Sequence, residues 1–407
     1  MNLLKIYNGT ILTPQQAIKN GCMVIADGKI REISDANIEA AGAVEIDAKG
    51  KYIAPGFIDM HVHGGGGFDF MDNTLEAFLG IARTHASYGT TSMMPTTLSC
   101  EKKDLIDTLD MYEQANRVNT QGSAFIGLHI EGPYFAMNQK GAQDPRYIRN
   151  PDEAEYKEIL EHYPSVKRWS AAPELPGALA FGSYLSARGI LPSIAHTDAV
   201  YEDALLAFEK GYTHATHFYS CMLGVTRKNA YRYAGVVEAA YLIDEMTVEI
   251  IADGSHLPAP LLKLVHKIKG SSMTALITDA MRAAGMGSGA SVLGSLKNGL
   301  EVLVEDGVAK LPDRSAFAGS VATADQLVRN MITMAGVSLR EAVQMMSETP
   351  AAILKIQDKK GSIEKGKDAD LVIFDEQIRI DTTIVRGNIV YKAEDHKMGN
   401  AFSQHTV

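Results

Sequence analysis

Two histidines end the first strongly apolar stretch of the sequence, GFIDMHVHGGGG, at residues 56–67. Side chains of a strand alternate between its two faces, so His61 and His63 point the same way. Paired imidazoles on one face can bind a divalent metal ion, and the glycines after them let the backbone lie close to an ion or a substrate. The segment therefore predicts a buried strand whose end carries chemistry.

Similar endings follow five later apolar segments, whose polar residues are His129 with Glu131, His196, His217, Asp253 with His256, and Asp279. Four imidazoles and one carboxylate that converge without partners would be costly to bury, and a metal ion supplies the missing partner. Neutral imidazole and carboxylate suit zinc, iron or manganese. The predicted ligands are His61, His63, Glu131, His196 and His217.

The other histidines have a simpler interpretation. His85 is expected to be a hydrogen-bonded packing residue, while His129 and His214 stay open between packing and the site. His214 lies three residues before His217, so at most one of them shares the inward face, and His217 is nearer to the strand end.

Asp279, in LITDAM, differs from the predicted ligands in kind. A bound metal ion lowers the pKa of water, and a carboxylate beside it can take the proton and pass it to a leaving group. The competing interpretation is a helix N-cap, a position that favours Asp. His256 can donate a hydrogen bond to a carbonyl oxygen as negative charge develops there.

Alternating strands and helices must position these residues. Eight strand segments, each followed by a helical pattern, run through the middle of the chain, which predicts a (β/α)8 TIM barrel with its chemistry at the carboxyl ends of the strands. Short β-like runs with tight turns occupy both termini and predict one small β-sandwich domain. The expected boundaries are residues 1–55 and 358–395 for the sandwich, 56–357 for the barrel and 396–407 for a polar tail.

Composition narrows the class of protein. The 407 residues carry a net charge of −10, which argues against nucleic acid or an anionic membrane as the main partner. The hydrophobic fraction of 46% is typical of a soluble globular protein. Three widely spaced cysteines fit a reducing compartment, and the chain lacks an evident signal peptide or membrane span. We therefore expect a cytoplasmic, soluble protein.

The motifs resemble those of the amidohydrolase superfamily. PGFIDMHVHG, the pairing of HIEGP with IAHTDA, and GSIEKGKDADLVIFD carry the likeness. Within the superfamily, LHIEGPYF followed by KGAQ, THATHFY, IADGSH, LITDA and FAGS resemble the N-acetylglucosamine-6-phosphate deacetylase family. The likeness extends along nearly the whole chain.

The resemblance implies a role for each matched residue. Glu131, His196 and His217 would hold the principal metal, and His61 and His63 a second one that some members lack. Asp279 would be the catalytic acid and base, and His256 would polarise the carbonyl. A homodimer is implied, with a site residue donated by the neighbouring subunit. The implied substrate contacts are Gly141, Ala142, Gln143, Ser220, Cys221, Arg227, Arg232, His256, Ala318, Gly319 and Ser320.

Three segments depart from the family pattern. Gln143 stands where the family usually has His, Ser220 and Cys221 replace an Asn-Ala pair, and TRKNAYRYAG replaces a loop that contains Arg, Pro and Gly. In the family these pieces contact the sugar phosphate. Gln143 can bind phosphate without charge, so Arg227 or Arg232 is expected to supply the charge.

The leading hypothesis is metal-dependent hydrolysis of the N-acetyl group of N-acetylglucosamine-6-phosphate. A related sugar such as N-acetylgalactosamine-6-phosphate stays open, as does another amidohydrolase activity on a cyclic amide or an N-acyl amino acid. A scaffold without catalysis should lack at least one of Glu131, His196, His217 and Asp279, and all four are present.

Overall fold

Strands and helices alternate through most of the computed structural model, which describes residues 3–393. Within that range we find no helix that is both long and apolar enough to cross a membrane. The strands are, in chain order, β1 Leu3–Leu12, β2 Ala17–Ala26, β3 Lys29–Ser34, β4 Val44–Asp47, β5 Tyr52–Pro55, β6 Phe57–Val62, β7 Gly64–Gly65, β8 Phe68–Asp69, β9 Thr90–Pro95, β10 Ala124–Phe125, β11 Leu128–Glu131, β12 Val166–Ala171, β13 Leu191–Ile194, β14 His214–Ala215, β15 Thr226–Lys228, β16 Tyr231–Tyr233, β17 Thr247–Ile250, β18 Thr274–Leu276, β19 Gly289–Leu293, β20 Leu300–Glu305, β21 Val308–Lys310, β22 Leu371–Phe374, β23 Ile380–Val385 and β24 Asn388–Lys392.

The helices follow the strands of the middle region. Thr74 caps the first helix by accepting a hydrogen bond from the amide of Ala77, and Asp152 caps the third in the same way. The α-helices are α1 Leu75–Ala86, α2 Lys102–Val118, α3 Glu153–His162, α4 Ala178–Ala187, α5 Tyr201–Glu209, α6 Val236–Leu242, α7 Ala259–Lys269, α8 Ala324–Asn330, α9 Leu339–Met345 and α10 Glu348–Ile353.

Strands from both termini pair in one eight-stranded sheet. Its order is β24-β23-β22-β5-β1-β2-β3, with β4 also paired to β1, and the contact between the two ends of the chain is the antiparallel pair β22 and β5. Its buried side chains are mostly aliphatic, including Ile6, Ile25, Ile53, Leu371 and Ile373. The two-layered sandwich and the domain boundaries stay predictions, and the expected tail at 396–407 lies outside the described residues.

Two sheets of parallel strands form the middle of the chain. One has the order β10-β9-β6 and the other β11-β12-β13-β14-β17-β18. Parallel bridges from Thr96 to His129 and from Val62 to Ala280 join the two sheets. Each of the eight predicted strand segments contains a strand, so the mixed α/β class of the fold is confirmed.

Two small β elements were not predicted from the sequence. The hairpin of β15 and β16 projects exposed side chains, and the three-stranded sheet of β19, β20 and β21 follows the strand end that carries Asp279. The second element buries Leu293 and Val302 against Met281 and Ala318. Both interrupt the alternation of strand and helix, which is why a count of repeats overlooks them.

A buried ion pair stabilises the sheet formed by the termini. Asp370 is 7% exposed, pairs with Lys360 and accepts a hydrogen bond from the amide of Arg386 at 2.8 Å. We expect Asp370→Ala to lower the free energy of unfolding by about 1–3 kcal/mol, because the buried amide of Arg386 would lose its acceptor and Lys360 would keep only Asp368, at 3.2 Å. Urea unfolding followed by circular dichroism measures this change.

Glu153→Ala is the matched control for this prediction. Glu153 pairs with Lys157 on the exposed face of α3, where an ion pair contributes less than about 1 kcal/mol. Equal losses in the two variants would contradict a stabilising role for the buried pair.

Candidate metal centre and active site

Two groups of buried side chains that could hold a metal ion, called here the metal-binding groups, lie together at the carboxyl ends of the parallel strands. One group is His61, His63 and Asp279, and the other is Glu131, His196 and His217. Within each group the donor atoms lie within 4.8 Å of one another. The structure thus brings together all five ligands predicted from the sequence, with Asp279 beside them.

Glu131 lies between the two groups. Its Oε1 is 3.4 Å from Nε2 of His61, 3.5 Å from Nε2 of His196 and 3.2 Å from Nε2 of His217. Its Oε2 is 3.4 Å from Nε2 of His63. One carboxylate therefore contacts the imidazoles of both groups.

The electrostatics of the site call for positive charge. Burial opposes the charge of Glu131, yet the surrounding imidazoles, His61 first, hold its pKa well below the usual range. Burial alone would lower the pKa of His63, but Asp279 at 3.1 Å and Glu131 raise it to about 9. The buried carboxylates need positive charge close to them, and imidazole nitrogens surround them. This set of ligand atoms is suited to a divalent metal ion.

Left-handed backbone conformations aim several of these side chains. His196, His217 and Asp279 have φ angles of 46°, 29° and 47°, a region that residues other than glycine rarely adopt. Hydrogen bonds hold the turn at Asp279, whose amide donates to the carbonyl of His61 at 2.9 Å and whose carbonyl accepts from the amide of Ser320 at 2.7 Å. Such strain concentrates at functional sites.

A second layer of buried groups orients the histidines. Nδ1 of His61 is 2.9 Å from Glu249, which also accepts two hydrogen bonds from Arg168 at 2.6 and 2.8 Å. Nδ1 of His196 donates to the carbonyl of Gln139 at 2.7 Å. A partner on the second ring nitrogen fixes the tautomer and the plane of a metal-binding imidazole.

Sequence reasoning missed Glu249 and Arg168. A signal was present, because parallel strands buried on both faces are almost entirely apolar, and each of these charges interrupts such a strand. The structure also shows the surroundings of the two histidines whose roles the sequence left open. His129 is 2.6 Å from Ser170 Oγ, and His214 is 3.1 Å from Glu249, so both belong to this second layer.

His256, in the loop that follows β17, lines a cavity together with residues of both metal-binding groups. Its Nδ1 is 2.7 Å from Asp253 Oδ2, and its ring packs against Phe317 with centroids 4.5 Å apart. The cavity has a volume of about 290 Å³ and is lined by both metal-binding groups except His61, by His256, and by Leu98, Ala142, Gln143, Tyr219, Ser220, Cys221, Leu293, Ala316, Phe317 and Gly319.

The chain as a whole matches known proteins. Residues 52–390 match the amidohydrolase family model. This chain belongs to the amidohydrolase family. An N-acetylglucosamine-6-phosphate deacetylase of Lysinibacillus sphaericus is 35% identical, covering 95% of this chain and 97% of the relative, and an N-acetylgalactosamine-6-phosphate deacetylase of Escherichia coli O157:H7 is 31% identical, covering 93% and 97%.

Similar solved structures agree with the assignment of this chain to the amidohydrolase family. A variant N-acetyl-D-glucosamine-6-phosphate deacetylase from Mycobacterium smegmatis, in complex with N-acetyl-D-glucosamine-6-phosphate, superposes with a TM-score of 0.88 at 27% identity. The match covers 96% of this chain and all of that one. The resemblance to the deacetylase family, first seen in the motifs, is confirmed.

The predicted substrate contacts of this amidohydrolase divide into two sets. Ala142, Gln143, Ser220, Cys221, His256 and Gly319 line the cavity. Outside its lining are Gly141, Ala318, Ser320, Arg227 and Arg232.

The second set has three kinds of surroundings. Ala318 and Ser320 are fully buried, and Ser320 Oγ donates to the carbonyl of Thr278. A side chain at Gly141 would meet Cys221 Sγ at 2.7 Å. Arg227 and Arg232 are exposed cross-strand partners on the hairpin, so within one chain they do not reach the cavity wall.

His85 is a packing residue beside the site of the amidohydrolase, as expected. Its Nε2 donates to the carbonyl of Gly64 at 2.9 Å, while its Nδ1 has no partner among the described residues. Burial lowers the pKa of His85 to about 4. In the unfolded chain a histidine takes up its proton near pH 6.5, so acid favours unfolding between pH 6.5 and pH 4.

We expect the native protein to lose about 3 kcal/mol more stability than His85→Gln when the pH falls from 7 to 4. The glutamine keeps a donor for Gly64 but does not titrate. Urea unfolding at both pH values measures the difference. His162→Gln, at an exposed histidine, should behave like the native protein. Parallel losses in the native protein and His85→Gln would disprove the role of His85.

Proposed function

We propose that the protein is a metal-dependent deacetylase that hydrolyses N-acetylglucosamine-6-phosphate to glucosamine-6-phosphate and acetate. The observation that carries this proposal is the convergence of both metal-binding groups, Asp279 and His256 on one cavity. The same fold, in the Mycobacterium smegmatis protein, binds N-acetyl-D-glucosamine-6-phosphate. Relatives over nearly the full length of the chain carry the same activity in their names.

Zinc, iron or manganese would be held by the residues that the sequence singled out. Glu131, His196 and His217 form the principal site, and His61 and His63 with Asp279 form a second one, so one or two ions per subunit fit. When bound, such an ion acts as a Lewis acid and lowers the pKa of water.

Asp279 moves the proton in the proposed reaction. Burial opposes its charge, but His61 and His63 lower the pKa of Asp279, so it is a carboxylate before the reaction begins. It takes a proton from the attacking water as the new C–O bond forms at the acetyl carbon. It then returns that proton to the amide nitrogen as the C–N bond breaks, which releases acetate and the amino sugar.

His256 acts on the acetyl oxygen. Asp253 accepts from Nδ1 and from the backbone amide of His256 at 2.8 Å, which fixes the ring plane. Nδ1 is occupied by Asp253, so Nε2 is the ring nitrogen that is left for the carbonyl oxygen. A donor that strengthens as charge develops on oxygen lowers the barrier to attack.

The identity of the sugar separates two candidate functions. The relative from Escherichia coli acts by its name on N-acetylgalactosamine-6-phosphate and is nearly as similar as the glucosamine enzymes. Acetate release from the N-acetylglucosamine, N-acetylgalactosamine and N-acetylmannosamine 6-phosphates, with an N-acyl amino acid as comparison, tests the choice. Preference for the N-acyl amino acid would overturn the proposed function.

The architecture and assembly extend the proposal. A closed (β/α)8 barrel is supported by the bridges that join β6 and the end of β9 to the two edges of the six-stranded parallel sheet. A homodimer is supported by the exposed hairpin, since Tyr231 is 73% exposed on it and its arginines do not reach the cavity of their own chain.

A cytoplasmic location is supported by three free cysteines.

Asp279→Asn tests the proton transfer. The amide keeps the shape and most hydrogen bonds but cannot accept a proton, so kcat should fall by about 10²–10⁴-fold with metal restored. Steady-state kinetics at saturating substrate measure it. Asp306→Asn, an exposed aspartate, is the control and should retain activity. A loss smaller than about tenfold would remove Asp279 from the mechanism.

The arginines of the hairpin test phosphate recognition. Arg227 and Arg232 are cross-strand partners, so their side chains share one face, and Lys228 lies on the other. At least one of Arg227→Ala and Arg232→Ala should raise KM for the phosphorylated sugar about 10- to 100-fold, since a hydrogen bond to a charged group contributes about 1.5–3 kcal/mol.

Lys228→Ala removes a positive charge from the opposite face of the same hairpin and is the matched control. The arginine variants should leave KM for unphosphorylated N-acetylglucosamine nearly unchanged. Equal effects on both sugars, or an equal effect of Lys228→Ala, would contradict phosphate recognition by this face.

A further inference from the structure

Gln143 is held at both ends of its carboxamide. The side chain is 5% exposed, its oxygen accepts a hydrogen bond from the amide of Ser99 at 2.9 Å, and its Nε2 donates to Oε2 of Glu131 at 2.8 Å. A backbone N–H can only donate, so the oxygen of the carboxamide must face Ser99. The nitrogen therefore faces Glu131, and the orientation of the amide is determined.

The other contacts of the Glu131 carboxylate are imidazoles. Oε1 faces His61, His196 and His217, and Oε2 faces His63 in addition to Gln143. Each of these imidazoles is a candidate ligand whose nitrogen would turn from Glu131 to a bound ion. The N–H of Gln143 cannot bind a cation, so it remains on Glu131 whether or not the ion is present.

We propose that Gln143 is a positioning residue that fixes the carboxylate plane of Glu131 for the metal. The inference rests on the proposed function, in which Glu131 is a ligand. A neutral donor suits this place, because a cation would compete with the metal and a carboxylate would repel Glu131. Partners of this kind orient metal ligands, and their loss weakens metal binding about 10- to 100-fold.

The anchor of Gln143 is also suited to the task. It is a backbone amide that follows β9, and β9 pairs with β6, the strand that carries His61. The carboxamide thus links Glu131 to the main chain beside the other metal-binding group. The two hydrogen bonds hold the carboxamide in place at the cavity wall.

The rival role, a contact with the sugar or its phosphate, makes a different prediction. Gln143 lines the cavity that both metal-binding groups share, and it also borders a neighbouring cavity of about 590 Å³. If the carboxamide binds substrate, its loss raises KM and leaves the affinity for metal unchanged. If it positions Glu131, its loss weakens metal binding and leaves KM unchanged once metal is saturating.

Gln143→Met separates the two roles, since methionine fills a similar volume and has no N–H donor. The affinity of the metal-free protein for Zn²⁺ alone is measured by competition with a chromophoric chelator, and KM for N-acetylglucosamine-6-phosphate is measured at saturating Zn²⁺. Gln114→Met is the matched control, because Gln114 is exposed on α2 and borders only the neighbouring cavity.

We expect Gln143→Met to bind Zn²⁺ about 10- to 100-fold more weakly, with KM unchanged and the control like the native protein. Native affinity for Zn²⁺ together with a raised KM overturns the inference. If Gln143→Met does not fold by circular dichroism, Gln143→Asn replaces it, because its shorter amide cannot span both partners and should shift Zn²⁺ affinity in the same direction. A native protein that binds no Zn²⁺ would instead overturn the proposed metal chemistry.

Discussion

Buried negative charge is the constraint around which the centre of this protein is arranged. Glu131, Glu249 and Asp279 are all buried, on or next to the parallel strands of the middle region. A carboxylate removed from water is stable only when positive charge or hydrogen-bond donors surround it. The donors here come from five different strands or the loops that follow them, so the fold must bring distant parts of the chain to one place before any of these charges is tolerated.

The compensation is divided between two layers. In the lower layer Arg168 donates two hydrogen bonds to Glu249, and both residues are fully buried. His214 also contacts the carboxylate of Glu249. His61 connects the layers, with one ring nitrogen on Glu249 and the other near Glu131. The lower layer balances its own charge, while the upper layer relies on imidazoles that a metal ion would use. The difference separates a structural network from a site prepared for a ligand.

Loops and backbone conformation complete the upper layer. Arg282, which follows Asp279 by three residues, donates to Asp72 and to the carbonyls of Gly67 and Gly294. It thus ties the glycine loop after His63 to the sheet of β19, β20 and β21. The left-handed turn at Asp279 is held between the carbonyl of His61 and the amide of Ser320. Rigid surroundings of this kind keep catalytic side chains in unfavourable conformations.

The sequence by itself determined the alternation of strands and helices and the residues that meet at the strand ends. These follow from local rules, since apolar periodicity marks a strand and its alternation decides which of His61, Val62 and His63 share a face. Only the tertiary structure decided which groups touch. Glu131 between the two groups and Gln143 held against Ser99 both depend on packing between segments far apart in the chain, which no local spacing encodes.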